Sequence, residues 1–240
     1  HIYSADDWYT GSVSAVCGGT TCLIDFAEAK PDEPLESALK TRIEEAEVSS
    51  LVDFSLHMTV SRADPKTLLE QIPACVQRGC TSFKLYTAYD GIRLQDDGQI
   101  LAVFKAIEKN GGVPIVHAEN HYVIMSRIAE FKASNAASAA NHPATRPVEG
   151  ESEATHRVAM LSRLAGGSVH IAHVTAELAI PTFKLPQSKQ LITGEVCGHH
   201  LSLTDAVYHA NPSIAPDFVC APPMRPQSDV DAMWKALQDG

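Results

Sequence analysis

The order of apolar runs along these 240 residues predicts an α/β protein on a parallel sheet, either a barrel or a doubly wound sheet. Three observations carry this expectation. Short β-prone runs alternate with segments of helical spacing along the chain. Glycine, asparagine and proline fall where one element should end and the next begin. No internal repeat, low-complexity tract or linker breaks the rhythm.

Ser4 is expected to open a helix, with Asp7 three residues on as a capping box. That helix runs through Trp8, Val13 and Val16 to Gly18-Gly19. Thr20–Ala27 reads as a buried strand, Pro31–Pro34 as a loop, Leu35–Glu47 as an outer helix and the alternating Leu51–Val60 as a strand. Asp64-Pro65 supplies a cap and a first-turn proline for a helix reaching Arg78 and ended by Gly79. The run CTSFKLYTAYD, Cys80 to Asp90, contains the next strand, and Gly91–Gly98 is loop. Ile100, Leu101, Phe104 and Ile107 stripe a helix that stops at Asn110-Gly111-Gly112. Val113–Ala118 is a strand and His121–Lys132 a helix. Ser134–Pro147 is a loop long enough to suggest function. Glu151–Leu164 is a helix, Ser168–Val174 a strand, and Ala176–Phe183 helical up to Pro181. Gln190–Cys197 is a strand, Thr204 opens a helical turn, Phe218–Ala221 is a strand, and Ser228–Leu237 closes as a helix.

Composition is that of an ordinary globular chain, 45% apolar and 20% charged. Net charge is 19 − 29 = −10, which argues against nucleic acid or an anionic membrane as partner. No apolar run approaches the roughly 20 residues of a membrane span, and HIYSADDWYT lacks the features of a signal peptide. Six cysteines are scattered without a CxxC pair, as expected of reduced thiols in the cytoplasm. Eleven histidines are the unusual count, so histidine placement is informative.

Lys84 sits in the middle of SFKLY, where a strand flanked by helices ordinarily has no use for an ammonium group. His117 ends VPIVH and His173 ends VHIAH. A lone histidine in such a place is ordinarily a hydrogen-bonded core residue. Two of them with a misplaced lysine, each at or near the end of its own strand, point to a metal-ligating cluster on the face where barrel chemistry sits. His117 and His121 share the four-residue spacing of a helical zinc pair. The glutamate is misplaced for HExxH, however, and VPIV is strand-like. His170 and His173, three apart in a strand, should face opposite sides. His199-His200 reads either as a substrate-side or outer-shell pair or as solvated loop.

The segments SFKLYTAY, VHAEN, HPATRP followed by EATHR, AHVT, GEVCGHHL and CAPPMR occur in that order. Together they resemble the dihydropyrimidinase/D-hydantoinase branch of the cyclic amidohydrolases over nearly the whole chain. The resemblance implies a (β/α)8 barrel with two metal ions, usually zinc. Lys84 would be the lysine carboxylated by CO2 that bridges them, and His117 and His173 would ligate the second metal. Tyr89 would hydrogen-bond the developing oxyanion. The implied reaction opens small cyclic amides or ureides, dihydropyrimidines and hydantoins, to N-carbamoyl amino acids. A cytoplasmic homotetramer is implied as well. Allantoinase-type amidases and the non-catalytic collapsin-response scaffolds are the competing relatives. Ala221 stands where hydantoinases commonly have serine, and Gly198 where proline is usual. The family's HxH ligand pair, final aspartate and β-sandwich domain have no counterpart here. Residues 1–240 are therefore expected to be a partial amidohydrolase barrel domain, an internal piece spanning barrel strands two to seven. Alone it is expected to be inactive and poorly soluble, with Lys84 unmodified.

Overall fold

The computed structural model describes residues 5–94, 96–185 and 191–240. Six strands form one sheet in chain order: β1 (Cys22–Ala27), β2 (Asp53–Thr59), β3 (Ser82–Tyr86), β4 (Val113–His117), β5 (Val169–Ile171) and β6 (Ile192–Gly194). Each pairs in parallel with the strand before it. Parallel neighbours need a crossover between every pair. Helices supply it: α1 (Trp8–Cys17) ahead of β1, then α2 (Leu35–Ser49), α3 (Ile72–Gln77), α4 (Asp97–Lys109), α5 (His121–Ala133), α6 (Val148–Ala165) and α7 (Ile180–Phe183). After β6 come α8 (Gly198–Ser202), α9 (Val207–Ala210) and α10 (Gln227–Asp239). The chain is α/β, with the strand order of part of a barrel wall.

Apolar spacing explains the packing of the helix layer on the sheet. Ile100, Val103, Phe104 and Ile107 form the buried stripe of α4, and Phe83 and Leu85 meet the same core from β3. Gly112 lets the turn before β4 close, since a Cβ there would come within 2.9 Å of both Ile107 and Phe83. No helix among the described residues is long and apolar enough to cross a membrane.

Several boundaries differ from the sequence expectations. The first helix is capped by Asp7 itself, whose carboxylate accepts from Thr10 N at 2.8 Å while its own N–H donates to Thr10 Oγ1. The expected starts at Ser4 and Gln190 lie outside the described residues. Asp64 caps its helix as expected, accepting from Thr67 N and Oγ1. The following turn, Thr67–Gln71, is widened because Pro73 has no N–H to continue the regular ladder. The Ser134–Pro147 segment contains two single helical turns, and β6 ends at Gly194 short of the expected Cys197, with α8 following from Gly198. Phe218–Ala221 is not a strand. Ala215–Phe218 is a helical turn, and Tyr208 takes up the polar groups of the segment, donating to Phe218 O and accepting from Met224 N. Pro222 and Pro223 also lack the donors a ladder needs.

Candidate active site

The twofold period of β3 turns Phe83 and Leu85 toward the helices and Lys84 and Tyr86 to the opposite face. Lys84 is in register with Thr59 of β2 and Ile115 of β4, and it is 2% exposed. Its Nζ lies 5.5 Å from the Phe26 ring centre and 5.1 Å from that of Tyr86. Its Nζ makes no hydrogen bond or ion pair among the described residues. Burial lowers its pKa to about 8, against the opposing pull of Glu195 and Cys197. The mid-strand lysine therefore points inward, as a buried base rather than a solvated edge charge.

His117 closes β4 directly across from Tyr86. His173 lies two residues beyond the end of β5, so strand alternation does not set its direction. Its backbone has φ 39°, and Tyr89, three residues past β3, has φ 74°. Non-glycine residues rarely occupy this left-handed region, and such strain concentrates at functional sites. The result brings together what the sequence scatters. His117 Nδ1 and His173 Nε2 face each other at 3.1 Å, and the Tyr89 ring centre is 5.0 Å from that of His117. Two imidazole nitrogens on one tetrahedral zinc, at 2.0–2.1 Å each, stand about 3.3 Å apart. The pair thus fits a shared cation. Burial holds the His173 imidazole down at about 2, hence neutral and able to ligate.

A carboxylate orients this pair. His117 Nε2 donates to Glu119 Oε2 at 2.8 Å, which leaves Nδ1 as the nitrogen facing His173. The same oxygen accepts from Arg146 Nη1 at 2.6 Å and from Tyr89 OH at 3.4 Å. The Arg146 guanidinium lies 5.3 Å from the Tyr89 ring centre. Burial pushes the Tyr89 phenol up, and the neighbouring Glu119 adds to this, so it remains an O–H donor. A second buried ion pair fixes the loops around the site. Glu151, in the first turn of α6, accepts from Thr175 N, Ala176 N and Arg225 Nη2, while Arg225 Nη1 donates to Arg146 O. The segment carrying His173 is thereby tied to the one carrying Arg146.

Sequence reasoning singled out Lys84, Tyr89, His117 and His173, and the fold brings all four to one end of the sheet. It missed Glu119, Arg146, Glu151 and Arg225. For Glu119, Arg146 and Arg225 the signal was present in VHAEN, HPATRP and CAPPMR, where a charged residue stands among alanines and prolines; Glu151 had none. The other histidines go elsewhere: His121 pairs with Asp90, and His170 with Thr193 and Glu195.

A buried mid-strand lysine and two facing imidazoles at adjacent strand ends thus share one face of a parallel sheet, and the chain is similar over nearly its whole length to hydrolases that carry such a sheet. No family model matches the chain. It is 34% identical over 239 residues to a D-hydantoinase of Streptomyces coelicolor, covering 98% of this chain and 50% of that protein. It is 32% identical to a D-hydantoinase of Geobacillus stearothermophilus, again over 98% of this chain and 50% of the relative. The crystal structure of dihydropyrimidinase from Brevibacillus agri superposes with a TM-score of 0.94 at 30% identity, over 99% of this chain and 52% of that one. The chain is homologous to the cyclic amidohydrolases, and within them to the D-hydantoinase/dihydropyrimidinase branch. It spans about half the length of these relatives.

Proposed function

We propose that this chain supplies part of the active site of a metal-dependent cyclic amidase, which opens dihydropyrimidine or hydantoin rings to N-carbamoyl amino acids. One observation carries the reading: a buried lysine, without an ion pair among the described residues, stands on the same sheet face as two histidine nitrogens 3.1 Å apart. Lys84, His117 and His173 would hold zinc, two ions per complete site with Lys84 carboxylated as the bridge. Bound there, zinc supplies Lewis acidity and makes water acidic enough to be nucleophilic near neutral pH.

The chain's own residues account for the rest. With a pKa of about 8, roughly a tenth of Lys84 is a neutral amine at pH 7, some three-hundredfold more than for a lysine at 10.5. Only the neutral amine adds to CO2, giving a carbamate and releasing one proton. Tyr89 keeps its proton and donates to the oxygen that becomes negative as the ring carbonyl is attacked. Glu119, itself paired with Arg146, holds the His117 ring in place, and the Tyr89 hydroxyl turns from Glu119 to that oxygen as it donates. Residues 1–240 would be part of the barrel domain of a cytoplasmic homotetramer, a location consistent with six free cysteines.

The test is a ring-opening assay on dihydrouracil and hydantoin with zinc analysis of the complete protein that contains residues 1–240. Turnover that disappears in Lys84→Ala together with the bound zinc supports the proposal. Absence of turnover together with fewer than one zinc per chain in the complete protein argues instead for a non-catalytic scaffold.

A further inference from the structure

We infer that Cys197, His199 and His200 form a separate cation site, for a borderline-soft divalent ion of the zinc type, just beyond β6. Ligand atoms of these three residues lie within 4.8 Å of one another, the one such histidine/cysteine/carboxylate group found among the described residues. The local fold builds the cluster. Cys197 O accepts from His200 N at 3.0 Å and Leu201 N at 3.3 Å, so the CGHH run is wound into the first turn of α8. That turn brings the side chain of His200, three residues after Cys197, to its side. The His199 and His200 ring centres are 4.2 Å apart.

His200 is set up as a ligand. It is 5% exposed, and its Nε2 donates to Pro222 O at 3.0 Å. A carbonyl only accepts, so the proton is fixed on Nε2. Nδ1 is buried and has no hydrogen-bond partner among the described residues. A buried ring nitrogen without a hydrogen bond is unfavourable, and an imidazole whose far N–H is held by a backbone carbonyl is the usual preparation for metal binding. Cys220 Sγ lies 3.7 Å from Nε2, on the committed side of the ring, and itself donates to Pro222 O. It is therefore not a ligand.

One thiolate with two imidazoles selects zinc, cobalt(II) or cadmium over magnesium or calcium. Closing to the roughly 3.5 Å between donors on one tetrahedral zinc requires rotation of His199, which is exposed and free to move. Cys197 releases its proton to solvent as Sγ binds, and the fourth position is left to water.

Lys84, His117 and His173 include no sulfur, so a thiolate-to-metal charge-transfer band reports this site alone. The experiment is titration with Co2+ in a C17S/C22S background, which removes the two exposed thiols. One equivalent should give the band. It should vanish in Cys197→Ser, persist in Cys220→Ser, and persist in Lys84→Ala, where failure of the hydrolase reading would leave it untouched. Because Cys197→Ser could disturb α8, His199→Gln provides a milder variant, expected to weaken Co2+ by about 10–100-fold while keeping the band. No band at stoichiometric Co2+, a band retained in Cys197→Ser, loss in Cys220→Ser, or unchanged affinity in His199→Gln overturns the assignment.

Discussion

Replacing Lys84 by methionine should stabilise the metal-free chain while removing the group on which the proposed chemistry depends. The lysine is 2% exposed, and burial brings its pKa from 10.5 to about 8. That drop corresponds to about 3 kcal/mol against the charged form. Methionine keeps a chain of similar length against Phe26 and Tyr86 but gives up the cation–ring attraction, worth ~0.5–2 kcal/mol. A net gain of about 1–3 kcal/mol at pH 7 is expected. Its pH dependence is specific. Below pH 8 both folded and unfolded lysine are protonated, and the wild-type chain bears the whole penalty. Between 8 and 10.5 the unfolded state binds the extra proton, so wild-type stability rises with pH. Above 10.5 neither state is charged. Urea unfolding of both chains from pH 6 to 10.5 in chelator should give a gap widest below pH 8 that closes toward 10.5. A Lys84→Met chain less stable at pH 7, or a gap constant across the range, would refute the reasoning.

Arg146→Met should cost about 3–5 kcal/mol near pH 7, since it leaves the Glu119 carboxylate buried without its cation. Burial works to raise Glu119, but the His117 hydrogen bond and the Arg146 charge outweigh it and hold the carboxyl below its usual 4.5. The contribution of Glu119 is thus complete above pH 4.5 and lost as pH falls through the lower folded value, so the cost measured by urea melts should shrink toward acid. Tyr89→Phe should lower kcat for ring opening by ~10²–10³-fold with KM little changed, in steady-state assays of the zinc-loaded enzyme. Gly194→Ala should destabilise by about 1–3 kcal/mol in thermal melts, because the new Cβ comes 2.8 Å from two Phe183 ring atoms.

The sequence by itself determined the alternation of strands and helices, because burial against a parallel sheet imposes apolar runs of fixed length and period. The same physics made Lys84 legible, since an ammonium group in the middle of a buried strand contradicts its surroundings. His117 could be read as a strand-end ligand for a similar reason. Elements shaped by distant partners were not legible. The strand expected at Phe218–Ala221 has the right residues, but Tyr208 and two prolines take the places of a neighbouring strand's hydrogen bonds. The direction of His173 depends on a left-handed backbone at one residue, which no alternation pattern predicts. Glu119 meets Arg146 across 27 positions, and Glu151 meets Arg225 across 74. Each is an unremarkable charge until the fold removes water from around it and leaves the other as its partner. Periodicity records what each segment buries, and only the tertiary structure decides which buried charges and ring nitrogens meet.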